Sequence, residues 1–97
     1  MGNYRLSSKS EADLVNIYKF GIKHFGPDPA TIYLTELESF IEELASRPDL
    51  ARDGSLLATS LKFYRYKAHV IFYKFLSPNT IYVVRILGKR MDFISHL

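Results

Sequence analysis

The stretch LKFYRYKAHVIFYKFLSPNTIYVVRIL, residues 61–87, decides the fold. It is dense in aromatic and β-branched residues, which suit a pleated surface, and it is interrupted at Lys67-Ala68 and at Ser77-Pro78-Asn79. Three consecutive antiparallel strands over 61–67, 69–76 and 80–87 follow. The last two carry apolar groups on both faces: Val70 and Phe72 against Ile71, Tyr73 and Phe75, then Tyr82, Val84 and Ile86 against Ile81, Val83 and Leu87. An antiparallel sheet with one wet face would alternate apolar with polar, so both faces need cover.

Upstream lies the cover for one of them. Ser8-Lys9-Ser10-Glu11 fits a capping box, and Leu14, Ile17, Tyr18, Gly21, Ile22 and Phe25 then recur at helical spacing, with Asp13, Asn16, Lys19 and Lys23 on the polar remainder. Gly26 suits a left-handed C-terminal cap and Pro27 stops the helix. A second start follows, with Asp28 as N-cap and Pro29 as first helical residue. Its buried stripe is Ile32, Tyr33, Leu37, Phe40, Ile41, Leu44 and Ala45, and Pro48 ends it.

So short a link folds the two helices back on each other as an antiparallel hairpin over 8–47. The strand-like Tyr4-Arg5-Leu6-Ser7 precedes it, and 49–60, with Asp53-Gly54-Ser55, reads as a surface connection. The fold class is α+β: an N-terminal strand and a helical hairpin packed on a small antiparallel β-sheet. The hairpin covers one face only, and residues 88–97 are too few to screen the other. An apolar face rimmed by Lys and Arg is then left as a partner site, for an acidic amphipathic peptide or for a second copy in a homodimer.

With 97 residues, 47% hydrophobic and 24% charged, the chain is expected to fold as a single domain over 1–97. It has no Cys, so no disulfide framework, thiolate metal site or Cys nucleophile is available, which fits a reducing cytoplasm. No leader pattern opens the chain, and every apolar run is broken before bilayer-spanning length. The net charge of +3 conceals a dipole. Residues 1–60 hold six Lys or Arg against nine Asp or Glu, and residues 61–97 hold seven against Asp92 alone. The C-terminal third should attract an acidic partner or a phosphate backbone.

Searches for catalytic constellations exclude more than they find. The glycines form neither a dinucleotide fingerprint nor a P-loop, and His24, His69 and His96 lack metal-ligand spacing, so no cofactor and no metal is expected. The carboxylates of the second helix read as a solvated face. What remains is a basic and aromatic set: Lys62, Tyr64, Arg65, Tyr66, Lys67, Tyr73, Arg85, Lys89, Arg90 and His96. Cations that hold a phosphate beside a proton-moving His or Tyr make metal-free RNA cleavage chemically conceivable, without specifying it.

In this order and spacing, several segments resemble the ParE branch of the RelE/ParE toxin superfamily. They are Tyr4-Arg5-Leu6-Ser7 with Ala12, Asp13-Leu14 and Ile17-Tyr18, then Phe25-Gly26, Leu44-Ala45 with Pro48, His69-Val70-Ile71-Phe72-Tyr73, Val84-Arg85-Ile86-Leu87, Arg90-Met91-Asp92 and His96-Leu97. The resemblance implies the toxin of a type II toxin–antitoxin pair, an inhibitor of DNA gyrase and replication with no enzymatic activity of its own. Its partners would be gyrase as target and a cognate acidic antitoxin whose C-terminal segment folds around the toxin, in a hetero-oligomer or beside a homodimer. Arg85, Arg90 and Met91 are the antitoxin or target contacts it implies, with Arg65 and Lys89 added on charge. One departure is Gly88, where ParE-like chains commonly carry His. The triplet Gly88-Lys89-Arg90 is similar to the RelE branch, whose members cut messenger RNA on the ribosome. That alternative would make Arg90 and His96 catalytic.

Overall fold

A computed structural model describes residues 2–97. The elements are β1 (Asn3–Leu6), α1 (Ser8–Phe25), α2 (Pro27–Ser46), a 3-10 turn (Pro48–Leu50), β2 (Arg52–Asp53), β3 (Lys62–Tyr66), β4 (His69–Ser77), β5 (Thr80–Gly88) and α3 (Phe93–His96). The sheet order is β1-β5-β4-β3-β2. The meander β3-β4-β5 is antiparallel, as its composition implies, whereas β1 joins the β5 edge in parallel and makes the sheet mixed. A two-residue strand, β2, lies inside the segment read as a plain connection, and it pairs with Lys62 and Phe63.

The helix boundaries differ in detail from the sequence reading. Ser7, not Ser8, caps α1: its Oγ accepts from the Ser10 N–H at 3.0 Å, and the Ser10 hydroxyl donates back to the Ser7 carbonyl at 2.9 Å. Ser10 therefore stands where the capping-box Glu was placed. Gly26 both ends α1 and opens α2, its N–H donating to Ile22 O and its carbonyl accepting from the Ala30 N–H. Its φ of 91° and ψ of 166° lie in a region open essentially to glycine, and not in the left-handed helical well. Pro27 thus occupies the first position of α2, where its missing amide is not needed, two residues earlier than Asp28-Pro29 implied. The helices approach closely at Gly21, where an added Cβ would lie 3.0 Å from the Ala30 Cβ.

The hairpin covers one sheet face. Leu14, Leu37, Ile41, Leu44 and Ala45 meet Ile71, Tyr73, Ile81, Val83 and Ile86 in one buried cluster. Ile86 is on this face because of a β-bulge. The register runs from Phe72↔Arg85 to Tyr73↔Val83, which leaves Val84 unpaired and inverts the alternation beyond it. Simple alternation puts Ile86 with Val84 and Leu87 with Val83; the bulge exchanges them, so Leu87 packs on the opposite face.

That opposite face corrects the main sequence expectation. Leu61, Val70, Phe72 and Leu87 form a second buried cluster, covered by Ala58 of the β2–β3 connection and by Phe93 of α3. The Phe93 ring meets Phe72 edge-on, centroids 5.0 Å apart. Ten C-terminal residues alone would not suffice, but the tail and the preceding loop together shield the centre of the face. What stays open is its far end, where Leu76 and Tyr82 are exposed, and the outer surface of the tail itself at Ile94. No helix among the described residues is long and apolar enough to cross a membrane.

Candidate functional site: a basic cleft between α1 and the C-terminal segment

β5 outlasts its neighbour, and the site grows from that mismatch. β1 ends at Leu6, opposite Val83. Beyond it, the β5 edge still presents backbone groups that need partners. Side chains from the start of α1 supply them: the Ser7 Oγ–H donates to Val84 O at 2.7 Å, and the Ile86 N–H donates to Asp13 Oδ2 at 2.9 Å. The same carboxylate is gripped by Arg85, Nη2 to Oδ1 at 2.7 Å and Nε to Oδ2 at 2.8 Å. The remaining arm of the guanidinium, Nη1, donates to the His96 carbonyl at 2.7 Å.

This two-pronged pair is largely closed to solvent, with side chains 15% and 10% exposed. Hydrogen bonding to Asp13 holds the Arg85 pKa above its usual value. Arg85 thus fastens α1, β5 and the tail together, with three of its five N–H donors and its charge engaged internally. Asp13, assigned to the polar surface by helical spacing, is instead the buried acceptor of this junction.

In front of the junction lies an open cleft of about 770 Å³. Asn16, Ile17 and Phe20 of α1 form one wall, Ala68, His69 and Ile86 the floor, and Lys89, Arg90, Met91 and His96 the other wall. Met91 is held over the strand end, its Sδ accepting the Gly88 N–H at 3.2 Å. His69 is tied from behind: its Nδ1 lies 2.7 Å from the Tyr33 hydroxyl. Burial lowers the His69 pKa below its ordinary value against a weaker opposing pull from Asp13, so the imidazole is neutral at pH 7.

Of the residues singled out in the sequence, Arg85, Lys89, Arg90, Met91 and His96 share this cleft. Arg65 does not; it sits exposed on β3 opposite Val70. Asn16, Phe20 and His69 escaped the sequence reading as site residues. A signal was available for Phe20: it lies seven residues after Asp13, on the same flank of α1, and is too polar in its neighbours to be core.

The chain matches the family model for the ParE toxin of the parDE type II toxin–antitoxin system over residues 4–93. A ParE1 toxin of Mycobacterium tuberculosis is 33% identical over 94 residues, covering 97% of this chain and 96% of that protein. A ParE toxin of Escherichia coli is 31% identical over 97 residues, covering 100% and 94%. A ParE1 toxin of Caulobacter vibrioides is 29% identical over 97 residues, covering 100% and 99%. Among solved structures, a chain of the chromosomal ParDE system of P. aeruginosa superposes with a TM-score of 0.75 at 16% identity, over 91% of this chain and 96% of that one. A chain of the RelBE2 toxin–antitoxin complex of Mycobacterium tuberculosis does so with a TM-score of 0.65 at 14% identity, over 91% and 98%. At such identities the structural likeness speaks for the α+β fold alone, while the family model and the sequence relatives fix the lineage: this chain belongs to the ParE toxin family of the RelE/ParE superfamily.

Proposed function

We propose that this ParE-family toxin arrests growth by inhibiting DNA gyrase, without chemistry of its own, and that a cognate acidic antitoxin neutralises it. The observation that carries the non-enzymatic reading is the state of Arg85. The cation at the back of the cleft is ion-paired with Asp13 and has three of its five N–H donors engaged by Asp13 and the His96 carbonyl, so its charge is already compensated and poorly placed to stabilise charge developing on a scissile phosphate. The antitoxin reading is supported by charge: the only acid in 61–97 is Asp92, which caps α3 and Ser95. The exposed Leu76 and Tyr82 beside Lys74, with Arg65 further along the same face and Lys89 and Arg90 at the cleft, offer an acidic amphipathic segment both apolar footing and counter-charge.

Purified toxin added to gyrase and relaxed plasmid should block supercoiling or accumulate cleaved plasmid, and co-expression with an acidic protein encoded beside it should restore growth. Untouched gyrase would overturn the reading. One observation favours a second reading, ribosome-dependent cleavage of messenger RNA: Arg90 and His96 line the same cleft. His96→Ala separates the two, because a nuclease that uses this imidazole loses most of its rate while a gyrase inhibitor keeps its potency.

A further inference from the structure

We propose that the tip of the helical hairpin, residues 19–32, docks on the surface of an anionic lipid bilayer. The hairpin overhangs the sheet. The buried residues of α1, Ser10, Asp13 and Leu14, all lie in its first half, and α2 buries only Ala30 before Leu37. On the overhang Phe25 is 69% exposed, Phe20 59% and Ile32 58%, with Ile22 also open. These groups encircle the tip: at about 100° per residue, Phe20 and Ile22 point to nearly opposite sides of α1, and Ile32 points about 200° around α2 from the buried Ala30. A protein groove takes one face of a helix and would leave part of this ring in water. A tip sunk to headgroup depth covers all of it and needs no concave receptor.

Charge selects the lipid. Asp28 is the only acid from residue 14 to residue 35, against exposed Lys19 and Lys23. The cleft brings exposed Lys89 and Arg90 to the same end of the molecule as Phe20. Among the described residues, none of these four cations lies within 4.0 Å of a carboxylate. The acids of α2 gather at its other end, where Glu42 and Glu43 stand beside Gly2. The molecule is thus polarised, and its positive pole is the one that carries the bare aromatic rings. Lys and Arg at headgroup level with Phe at the acyl boundary is the pairing that holds a peripheral protein on an anionic leaflet.

The chain has no Trp, so single tryptophans report the contact one position at a time. Phe20→Trp, Phe25→Trp and Ile32→Trp are each titrated with vesicles of about 30% phosphatidylglycerol in phosphatidylcholine, and with vesicles of phosphatidylcholine alone. The anionic vesicles should blue-shift the emission of all three, and the neutral ones should not. Leu56→Trp, fully exposed in the connection before β3, should stay unshifted. In cosedimentation Phe25→Ser should weaken binding about tenfold and Lys23→Gln about fivefold. No shift with anionic vesicles, equal binding to neutral ones, an equal shift at Leu56→Trp, a shift at Phe20→Trp alone, or indifference to Phe25→Ser would each overturn the proposal. So would a vesicle-free dimer that Phe25→Ser returns to monomers, since the apolar ring would then be a protein interface. Gyrase inhibition, assayed without lipid, stands or falls on its own.

Discussion

Each face of the sheet buries an apolar cluster, but the two are covered by unequal means. On one, two helices spanning Ser8–Phe25 and Pro27–Ser46 lay a continuous apolar surface over Ile71, Tyr73, Ile81, Val83 and Ile86. On the other, Phe72 and its neighbours depend on a four-residue helix carrying Phe93 and on Ala58 and Leu61 of a connecting loop. A helical hairpin brings its own hydrogen bonds and many neighbours. A short tail brings one ring and a few fastenings, so it belongs to the low-stability end of the molecule. Arg85 is where the two regimes meet, since it bonds Asp13 of the hairpin and the carbonyl of His96 in the tail.

Cutting that junction should have the largest effect. Asp13→Ala leaves a partly buried guanidinium without its counter-ion and the Ile86 N–H without its acceptor, and should lower stability by about 3 kcal/mol in urea unfolding, with the tail loosened as well. Removing only the outer cover is a smaller break. Phe93→Ala should cost about 2 kcal/mol, less than a fully buried Phe, and hydrogen exchange should show the loss concentrated in residues 88–97 and 54–61 while the helices stay protected. Comparable deprotection of α2 would mean that the two faces are a single cooperative unit.

The third test sharpens the inner side. Tyr73 is fully buried there, its hydroxyl finds no hydrogen-bond partner, and burial beside Tyr64 pushes its pKa up to about 12. Tyr73→Phe removes an unpaired polar group and should raise stability by about 1 kcal/mol. The smallest effect is one of pH. The His69 pKa is depressed in the folded chain, so the unfolded chain binds the proton more readily; stability should fall on acidification below about pH 6.5, the ordinary imidazole value. His69→Gln should flatten that part of the stability–pH profile.

Much of this architecture is legible in the residues. Helical spacing and the Gly26-Pro27 break define the hairpin, and aromatic and β-branched runs define β3, β4 and β5, because each signal is local. What escaped is what depends on partners distant in the chain. Arg52-Asp53 has no apolar alternation and becomes a strand only because β3 offers an edge. Nothing in Val83-Val84-Arg85 announces a bulge, yet that one extra residue decides which of Ile86 and Leu87 faces the helices. Asp13 looks like a surface acid until β5 is seen to need an acceptor there. At the cleft, Lys89, Arg90, Met91 and His96 are close in sequence and were found together. Phe20 and His69 come from two other elements, and only the folded chain brings them alongside.

The clasp on the tail has one last implication. Arg85 holds position 96 by its main-chain oxygen, a group common to every amino acid. Evolution, or a designer, is therefore at liberty to exchange the imidazole there for an aromatic, an aliphatic or an amide and retune the mouth of the cleft, while the chain end stays moored where it is.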